Sequence, residues 1–113
     1  MIHRLPGSAP GRSRVVVHGG LVFTVATARE KSASMRAQAA SALAVLDAHL
    51  AEAGTDKSKL LSATVYIADM ARKPEMNEVW IAWVDPANPP QRACIGAALE
   101  GDDLIEIVAI AAL

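Results

Sequence analysis

The C-terminal run LIEIVAIAAL, residues 104–113, constrains the fold more than any other segment, because nearly every position in it is apolar. A strand with one face in water alternates apolar and polar residues. A run without that alternation is typical of a strand buried on both faces. We therefore predict that this segment forms a central strand, with other strands on both of its edges.

The first half of the chain predicts a hairpin followed by a helix and a strand. Two β-branched runs flank the glycine pair in RVVVHGGLVFTVA, which is a hairpin signal. Leu43, Leu46 and Leu50 recur at helical spacing, which predicts a helix over about residues 34–53. The alternation in LLSATVYIA, residues 60–68, then predicts a half-buried strand.

The second half predicts another helix and two more strands. Met76, Val79, Trp80 and Trp83 share one helical face, and RACIGAAL precedes the C-terminal strand. Residues 5–12 are rich in Pro and Gly and are interpreted as turn. The predicted architecture is α+β in one domain, 1–113, with order β-β-α-β-α-β-β and two helices packed on one mixed sheet.

Composition and charge exclude several classes of protein. Hydrophobic residues make up 52 % of the 113 positions and charged residues 20 %, which indicates that apolar surface meets another subunit. The net charge of -1 and the lack of a basic block argue against a nucleic-acid partner. No apolar run approaches the ~20 residues of a membrane span. No targeting signal is recognisable, so we expect a cytoplasmic protein.

Arg92 lies at the entry of PPQRACIG, residues 89–96, a segment that otherwise has the pattern of a buried strand. A guanidinium stays protonated in proteins, and an unpaired charge is costly to remove from water. Arg92 must therefore lie at the surface, pair with a protein carboxylate or bind an anion from outside. The sequence alone leaves these three alternatives open.

Glu106 is the one charged residue of the C-terminal run, between Ile105 and Ile107. It either lies at the rim of the sheet, pairs with a cation, or acts as a general acid or base or a holder of water. Arg92 and Glu106 fall on the last two predicted strands, separated by a short turn. We therefore expect them to face one pocket, as functional groups or as a structural ion pair.

The single cysteine and the three histidines give no metal-ligand pattern. Cys94 has no second thiol or histidine nearby, so it is typical of a small core side chain, with the lining of a pocket as the alternative. The spacing of His3, His18 and His49 matches no ligand pair, and we expect no metal site. We expect His49 to be solvated or to pack along its helix.

Several segments resemble the RidA family of imine and enamine deaminases, also called the YjgF family. The middle of the chain contains VYIADM, residues 65–70, and MNEVW, residues 76–80. The C-terminal part contains PQRAC, residues 90–94, and IEI, residues 105–107. The short length and the spacing of the two tryptophans are similar to the YoaB-type branch of the family.

The resemblance implies a chorismate-mutase-like fold in which three subunits pack their sheets into a central barrel. The helices would lie outside, and the pockets would lie between neighbouring subunits. It further implies that Arg92 grips a substrate carboxylate, that Glu106 positions the hydrolytic water and that Cys94 lines the pocket. No cofactor would be needed, because an imine is already electrophilic.

Two places depart from the deaminases of this family. Arg12 corresponds to a pocket tyrosine, and Val25-Ala26 corresponds to a Ser-Gly pair. Arg12 is either a second substrate-binding cation or a solvated loop residue. The implied function is hydrolysis of 2-imino acids and enamines to 2-keto acids and ammonia. The alternative is a trimer that binds a small carboxylate metabolite without turnover.

Overall fold

The computed structural model describes all residues, 1–113, as a six-stranded sheet with two α-helices. Short 3-10 helices, Lys57–Lys59 and Met70–Arg72, precede the fourth strand and the second helix. The elements are β1 (His3–Pro6), β2 (Ser13–His18), β3 (Leu21–Thr27), α1 (Met35–Ala53), β4 (Leu60–Ile67), α2 (Lys73–Trp83), β5 (Gln91–Gly96) and β6 (Ile105–Ala112).

The sheet has the order β1-β2-β3-β6-β4-β5, and only the pair β4–β5 is parallel. This confirms the predicted mixed sheet, and it confirms β6 as a central strand between β3 and β4. The predicted hairpin joins β2 and β3. Gly19 and Gly20 in its turn have φ of 60° and 78°, which is the left-handed region that a two-residue turn of this kind requires.

The interpretation of residues 5–12 as turn was wrong for the first two of them, Leu5 and Pro6. His3–Pro6 forms β1, which pairs antiparallel with β2, and only the following residues make the turn. Strand β1 is an edge strand with mostly exposed side chains, so it lacks an apolar alternation that a sequence pattern could reveal. Pro6 is tolerated there because an edge strand does not need every N–H for the ladder.

Both helices lie on one face of the sheet, and the other face is uncovered. The odd-numbered residues of β6, from Ile105 to Ala111, are buried under α1. On the opposite face Phe23, Val25 and Val108 remain 41 %, 44 % and 37 % exposed. The molecule is only 19 Å thick in its shortest dimension, as expected for one sheet and one helix layer. We call this uncovered side the open face.

Gln38 fixes the start of β6 to the start of α1. Its side chain is fully buried, and its amide nitrogen donates to the carbonyls of Ser32 and Asp102, each at 2.8 Å. Its amide oxygen accepts from the Leu104 backbone N–H at 2.9 Å. One fully buried side chain is thus paired at both ends of its amide and supplies partners to three partly buried backbone groups. The loop before β6 is held against the helix in this way.

His49 of α1 packs beside β3 and is 8 % exposed, so packing along the helix is confirmed for it and solvation was wrong. Its Nδ1 lies 3.0 Å from Thr24 Oγ1, whose single proton is donated to the Arg14 carbonyl at 2.8 Å. Nδ1 therefore donates to Thr24. Burial lowers the pKa of His49; the Glu52 carboxylate opposes this, and the Arg14 and Arg29 charges add to it.

Neither helix combines the length and the hydropathy that a bilayer span requires.

Replacing Gln38 by Leu should destabilise the fold strongly. The leucine fills a similar volume but removes the partners of three partly buried backbone groups, and a group left unpaired out of reach of water costs about 1–3 kcal/mol. We expect the free energy of unfolding in urea to fall by about 1–3 kcal/mol. Gln91→Leu is the matched control, because Gln91 is exposed, and it should change stability by less than about 0.5 kcal/mol. Equal losses in the two variants would contradict this role.

His49 should make stability depend on pH below neutrality. Above its ordinary pKa of 6.5 the imidazole is neutral in both states, and its full contribution to stability is present. Below that pH the unfolded chain binds a proton that the folded chain resists, so stability falls until the lowered folded pKa is reached.

We expect this one group to add at most about 1.4 kcal/mol per pH unit to the slope of the free energy of unfolding against pH. Urea unfolding between about pH 7.5 and 5.5 measures it, over a window that spans the ordinary histidine pKa. His49→Asn keeps a donor near Thr24 but does not titrate, so its slope should be shallower. His3→Asn removes an exposed histidine and serves as the control. An unchanged slope in His49→Asn would refute the prediction.

Candidate functional site

Arg92 lies on the edge strand β5, with its side chain on the helix face of the sheet. Its Nη2 donates to Asn77 Oδ1 at 2.9 Å, and Nη1 lies 3.9 Å from the sulfur of Met76. The guanidinium carbon is 5.4 Å from the centre of the Trp80 ring, which places the cation over the aromatic face. Helix α2 therefore supplies all three contacts that hold the arginine fork.

No carboxylate of the chain pairs with Arg92, because every ion pair in the structure uses other residues. Its side chain is half-buried, so it is not simply solvated either. A guanidinium has five N–H donors, and only one is given to Asn77 at hydrogen-bond distance. Of the three alternatives for this residue, a pairing with a carboxylate of the chain is excluded, and a place at the surface and an external anion both agree with the contacts.

Cys94 lies two residues beyond Arg92 on the same face of β5. It is a free, half-buried thiol that packs against the edge of the hydrophobic core. The thiol is therefore close to Arg92 along the strand, and it is also part of the packing. Its packing agrees with a small core side chain, and the lining of a pocket stays a prediction.

Glu106 lies on the open face of β6, opposite to Arg92. Its cross-strand neighbours are Thr27 on β3 and Tyr66 on β4. Directly opposed side chains in a sheet are about 5 Å apart at Cβ, so a threonine and a tyrosine side chain flank Glu106. Glu106 is half-buried and belongs to none of the ion pairs of the chain.

The expectation that Arg92 and Glu106 face one pocket across a hairpin was wrong for a single chain. Strand β4 lies between their strands; Arg92 is in register with Ala63 and Glu106 with Tyr66. That offset is roughly 10 Å along the strands and roughly 10 Å across them. The two side chains also point to opposite faces of the sheet. One chain therefore provides two separate half-sites.

The half-site around Glu106 is a cavity of about 670 Å³ at the end of β3 that extends beyond β2. The pairing of β2 with β3 stops at Val15↔Thr24, so the last residues of β3 have no strand on that side. Among the candidate site residues and altered positions named from the sequence, Arg12, Val25 and Glu106 line this cavity. The other lining residues are Gly7, Ser8, Ser13, Arg14, Thr27, Ala28, Arg29, Val45, His49, Glu100 and Asp103.

Arg12 is placed at this cavity by a close contact in the β1–β2 turn. The Gly7 N–H donates to the Arg12 carbonyl at 3.1 Å. A Cβ on residue 7 would lie 2.6 Å from that carbonyl oxygen, so only glycine permits this approach. The Arg12 side chain is exposed and forms no ion pair with a carboxylate of the chain. Its backbone is thus fixed while its charge remains available.

Of the altered pair Val25-Ala26, only Val25 faces the cavity. Ala26 is buried on the helix face, 1 % exposed, and does not line the cavity. Sequence reasoning missed Thr27, although the alternation in LVFTVAT puts it on the face of Val25. It also missed Arg29, for which the sequence gives no signal because it follows the strand.

No group of three or more His, Cys, Asp or Glu side chains is arranged to hold a metal ion. The chain presents a guanidinium without a carboxylate partner on the edge strand β5, and a carboxylate between Thr27 and Tyr66 on the central strand β6. The first suits recognition of a carboxylate, and the second suits the holding of a water molecule.

Comparison with known proteins identifies the family. A family model described as Endoribonuclease L-PSP matches residues 6–113. A RutC family protein of Haemophilus ducreyi is 41 % identical over 105 residues, covering 89 % of this chain and 88 % of the relative. The RutC family protein YoaB of Escherichia coli is 33 % identical over 102 residues, covering 89 % and 90 %.

A solved structure of a YjgF protein family member from Neisseria meningitidis superposes with a TM-score of 0.94 at 35 % identity, covering 99 % of this chain and 94 % of that one. The expected resemblance to YoaB is therefore confirmed at the level of the family, as is the fold. From the extent of the family match and the identity of these relatives, we conclude that the chain belongs to the Endoribonuclease L-PSP (YjgF/RidA) family.

Proposed function

We propose that this protein hydrolyses 2-imino acids and their enamine tautomers to 2-keto acids and ammonia. The observation that supports this most directly is Arg92: a half-buried guanidinium, held by Asn77 and Trp80, with no carboxylate partner in the chain. An acid whose carboxylate binds this fork is oriented by two parallel hydrogen bonds. The substrate supplies the missing anion.

In the proposed reaction, Glu106 accepts a proton from a water molecule as the water oxygen bonds to the imine carbon. Protonated Glu106 returns this proton to the imine nitrogen, and the product is a carbinolamine. Glu106 then transfers the hydroxyl proton to the amino nitrogen as the carbon–nitrogen bond breaks, which yields the 2-keto acid and ammonia. The sum is one imine and one water to one ketone and one ammonia, so no cofactor is required.

The two half-sites must come from different copies of the chain, because a small imine cannot reach both through one subunit. We propose a homotrimer in which the open faces form a central barrel and each pocket combines Arg92 of one copy with Glu106 of the next. The exposed Phe23, Val25 and Val108 support this, since an apolar sheet face of this kind favours burial against another copy.

An alternative proposal is that the same pocket binds a small carboxylate without turnover. It is favoured by Arg12 and Val25, which line the cavity around Glu106 where the deaminases of the family present a tyrosine and a serine. Neither residue offers a hydroxyl to the reaction. Thr27 lies beside Glu106 and supplies one from a neighbouring position, so the catalytic reading remains the first proposal.

The description of the family as an endoribonuclease finds little support in this chain. Phosphate backbones are bound by clustered Lys and Arg side chains, whereas this chain has a net charge of -1. Three of its cations outside the two half-sites, Lys31, Arg36 and Arg72, are paired with Glu or Asp. We propose a small metabolite, and no nucleic acid, as the partner. The lone thiol, Cys94, agrees with a reducing cytoplasm.

The function is tested by generating 2-imino acids in situ with an amino-acid oxidase and following their decay. We expect the wild-type protein to accelerate hydrolysis. Arg92→Ala should lower kcat/KM about ten- to hundredfold, because a charge-assisted hydrogen bond contributes about 1.5–3 kcal/mol. Glu106→Gln should lower kcat, since the amide cannot accept the proton from water.

Arg36→Ala is the matched control for the loss of an arginine, because Arg36 is exposed on α1 and pairs with Glu75 and Glu78. Full activity in Arg92→Ala would overturn the assigned role of this residue. No acceleration of any imine by the wild type, combined with stabilisation by 2-keto acids, would favour the binding alternative.

The proposed trimer predicts the effect of a charge on the open face. We expect the wild-type protein to have three chain masses by light scattering. Val108→Lys places an ammonium group at the centre of the open face and should give folded protein of one chain mass. Ile81→Lys, at a position that is 71 % exposed on α2, is the control and should leave the mass unchanged. A trimeric Val108→Lys would argue against burial of this face.

A further inference from the structure

Three arginines line the cavity around Glu106, and they differ in their partners. Arg14 is paired with Glu52, so its charge is compensated within the chain. Arg12 and Arg29 line the same cavity and have no carboxylate within ion-pair distance. The cavity therefore presents two uncompensated guanidinium groups to a ligand.

The backbones of both residues are fixed, so the two charges are not on free loops. Arg12 is held by the close contact of its carbonyl with Gly7. Arg29 is held by Ser41 of α1, whose hydroxyl oxygen accepts from the backbone N–H groups of Arg29 and Glu30 at 2.9 and 3.0 Å. An anchored backbone lowers the conformational entropy that is lost when the two side chains close on a ligand.

The acidic groups of the cavity leave these two charges available. Asp103 is paired with Lys31. Glu100 is exposed in the turn before β6, and Glu106 lies in the β6 ladder between Thr27 and Tyr66. Neither glutamate forms an ion pair with Arg12 or Arg29, although all four line one cavity. A cavity of about 670 Å³ has room for a small acid among them.

From this arrangement we infer that the pocket selects 2-imino acids that have a second carboxylate at the far end of the side chain. This inference rests on the proposed function. Arg92 binds the carboxylate next to the imine, and Arg12 and Arg29 bind the distal one. They are specificity-determining residues, because the distal carboxylate takes no part in bond breaking. A monocarboxylic imine would leave both charges without a partner.

The test uses two imines with the same number of carbon atoms, 2-iminoglutarate from glutamate and 2-iminopentanoate from norvaline. We expect the ratio of kcat/KM for the diacid to that for the monoacid to fall about tenfold in Arg12→Gln/Arg29→Gln, or about 1.4 kcal/mol. The wild-type ratio should also fall as salt is raised, because both arginines are exposed. Each single variant should lower the ratio partly.

Arg4→Gln is the control for net charge, because Arg4 is exposed on β1 and does not line the cavity. Its ratio should equal that of the wild type. A ratio in the double variant within twofold of the wild type would overturn the inference while leaving imine hydrolysis established. Circular dichroism verifies that each variant is folded, and the single variants replace the double variant if it is not.

A binding measurement separates this inference from the proposed function. If no imine is hydrolysed, the proposed function fails, and thermal unfolding with 2-oxoglutarate or 2-oxopentanoate decides the selectivity. We expect the diacid to raise Tm more than the monoacid in the wild type, and the difference to vanish in the double variant. Equal shifts by the two keto acids in the wild type would overturn the inference.

Discussion

Strand β6 is hydrogen-bonded along both edges, to β3 and to β4, and the rest of the molecule is arranged around it. Its odd-numbered residues are buried under α1, so its even-numbered residues must face the other way. Glu106 and Val108 therefore lie on the face without helices. The same alternation that completes the core also displays a carboxylate and an apolar surface where a second copy could meet them.

Arg92 is held by neutral partners, whereas the other paired arginines of the chain are held by carboxylates. The ring of Trp80 and the amide oxygen of Asn77 support the guanidinium without neutralising it. A carboxylate at this position would satisfy the arginine permanently and compete with a ligand. The neutral partners keep the fork oriented and leave its charge for an anion, which is the property that a binding site needs.

Periodicity was enough to predict which residues of α1 and α2 face the core, because burial imposes it directly on the sequence. The C-terminal run predicted the central place of β6 but not its core-facing residues, since it lacks alternation and the structure buries only its odd-numbered side chains. Periodicity could not reveal β1, whose exposed residues at the sheet edge show no such pattern. It also could not give the sheet order, since the parallel pairing of β5 with β4 depends on tertiary contacts. That missing order is why Arg92 and Glu106 were expected side by side. Arg29 was missed because a residue after a strand has no periodic signal.

The buried amide of Gln38 joins segments that are distant in sequence: the residues before α1 and the turn before β6. Both segments are bonded to the same buried side chain, so unfolding of the helix turn that carries it breaks the bonds of both. The first turn of α1 and the entry to β6 should therefore open as one cooperative unit in native-state hydrogen exchange, with the Leu104 amide among its protected members. Loop motions near Glu106 are thereby limited by the stability of a helix that lies on the opposite face of the sheet.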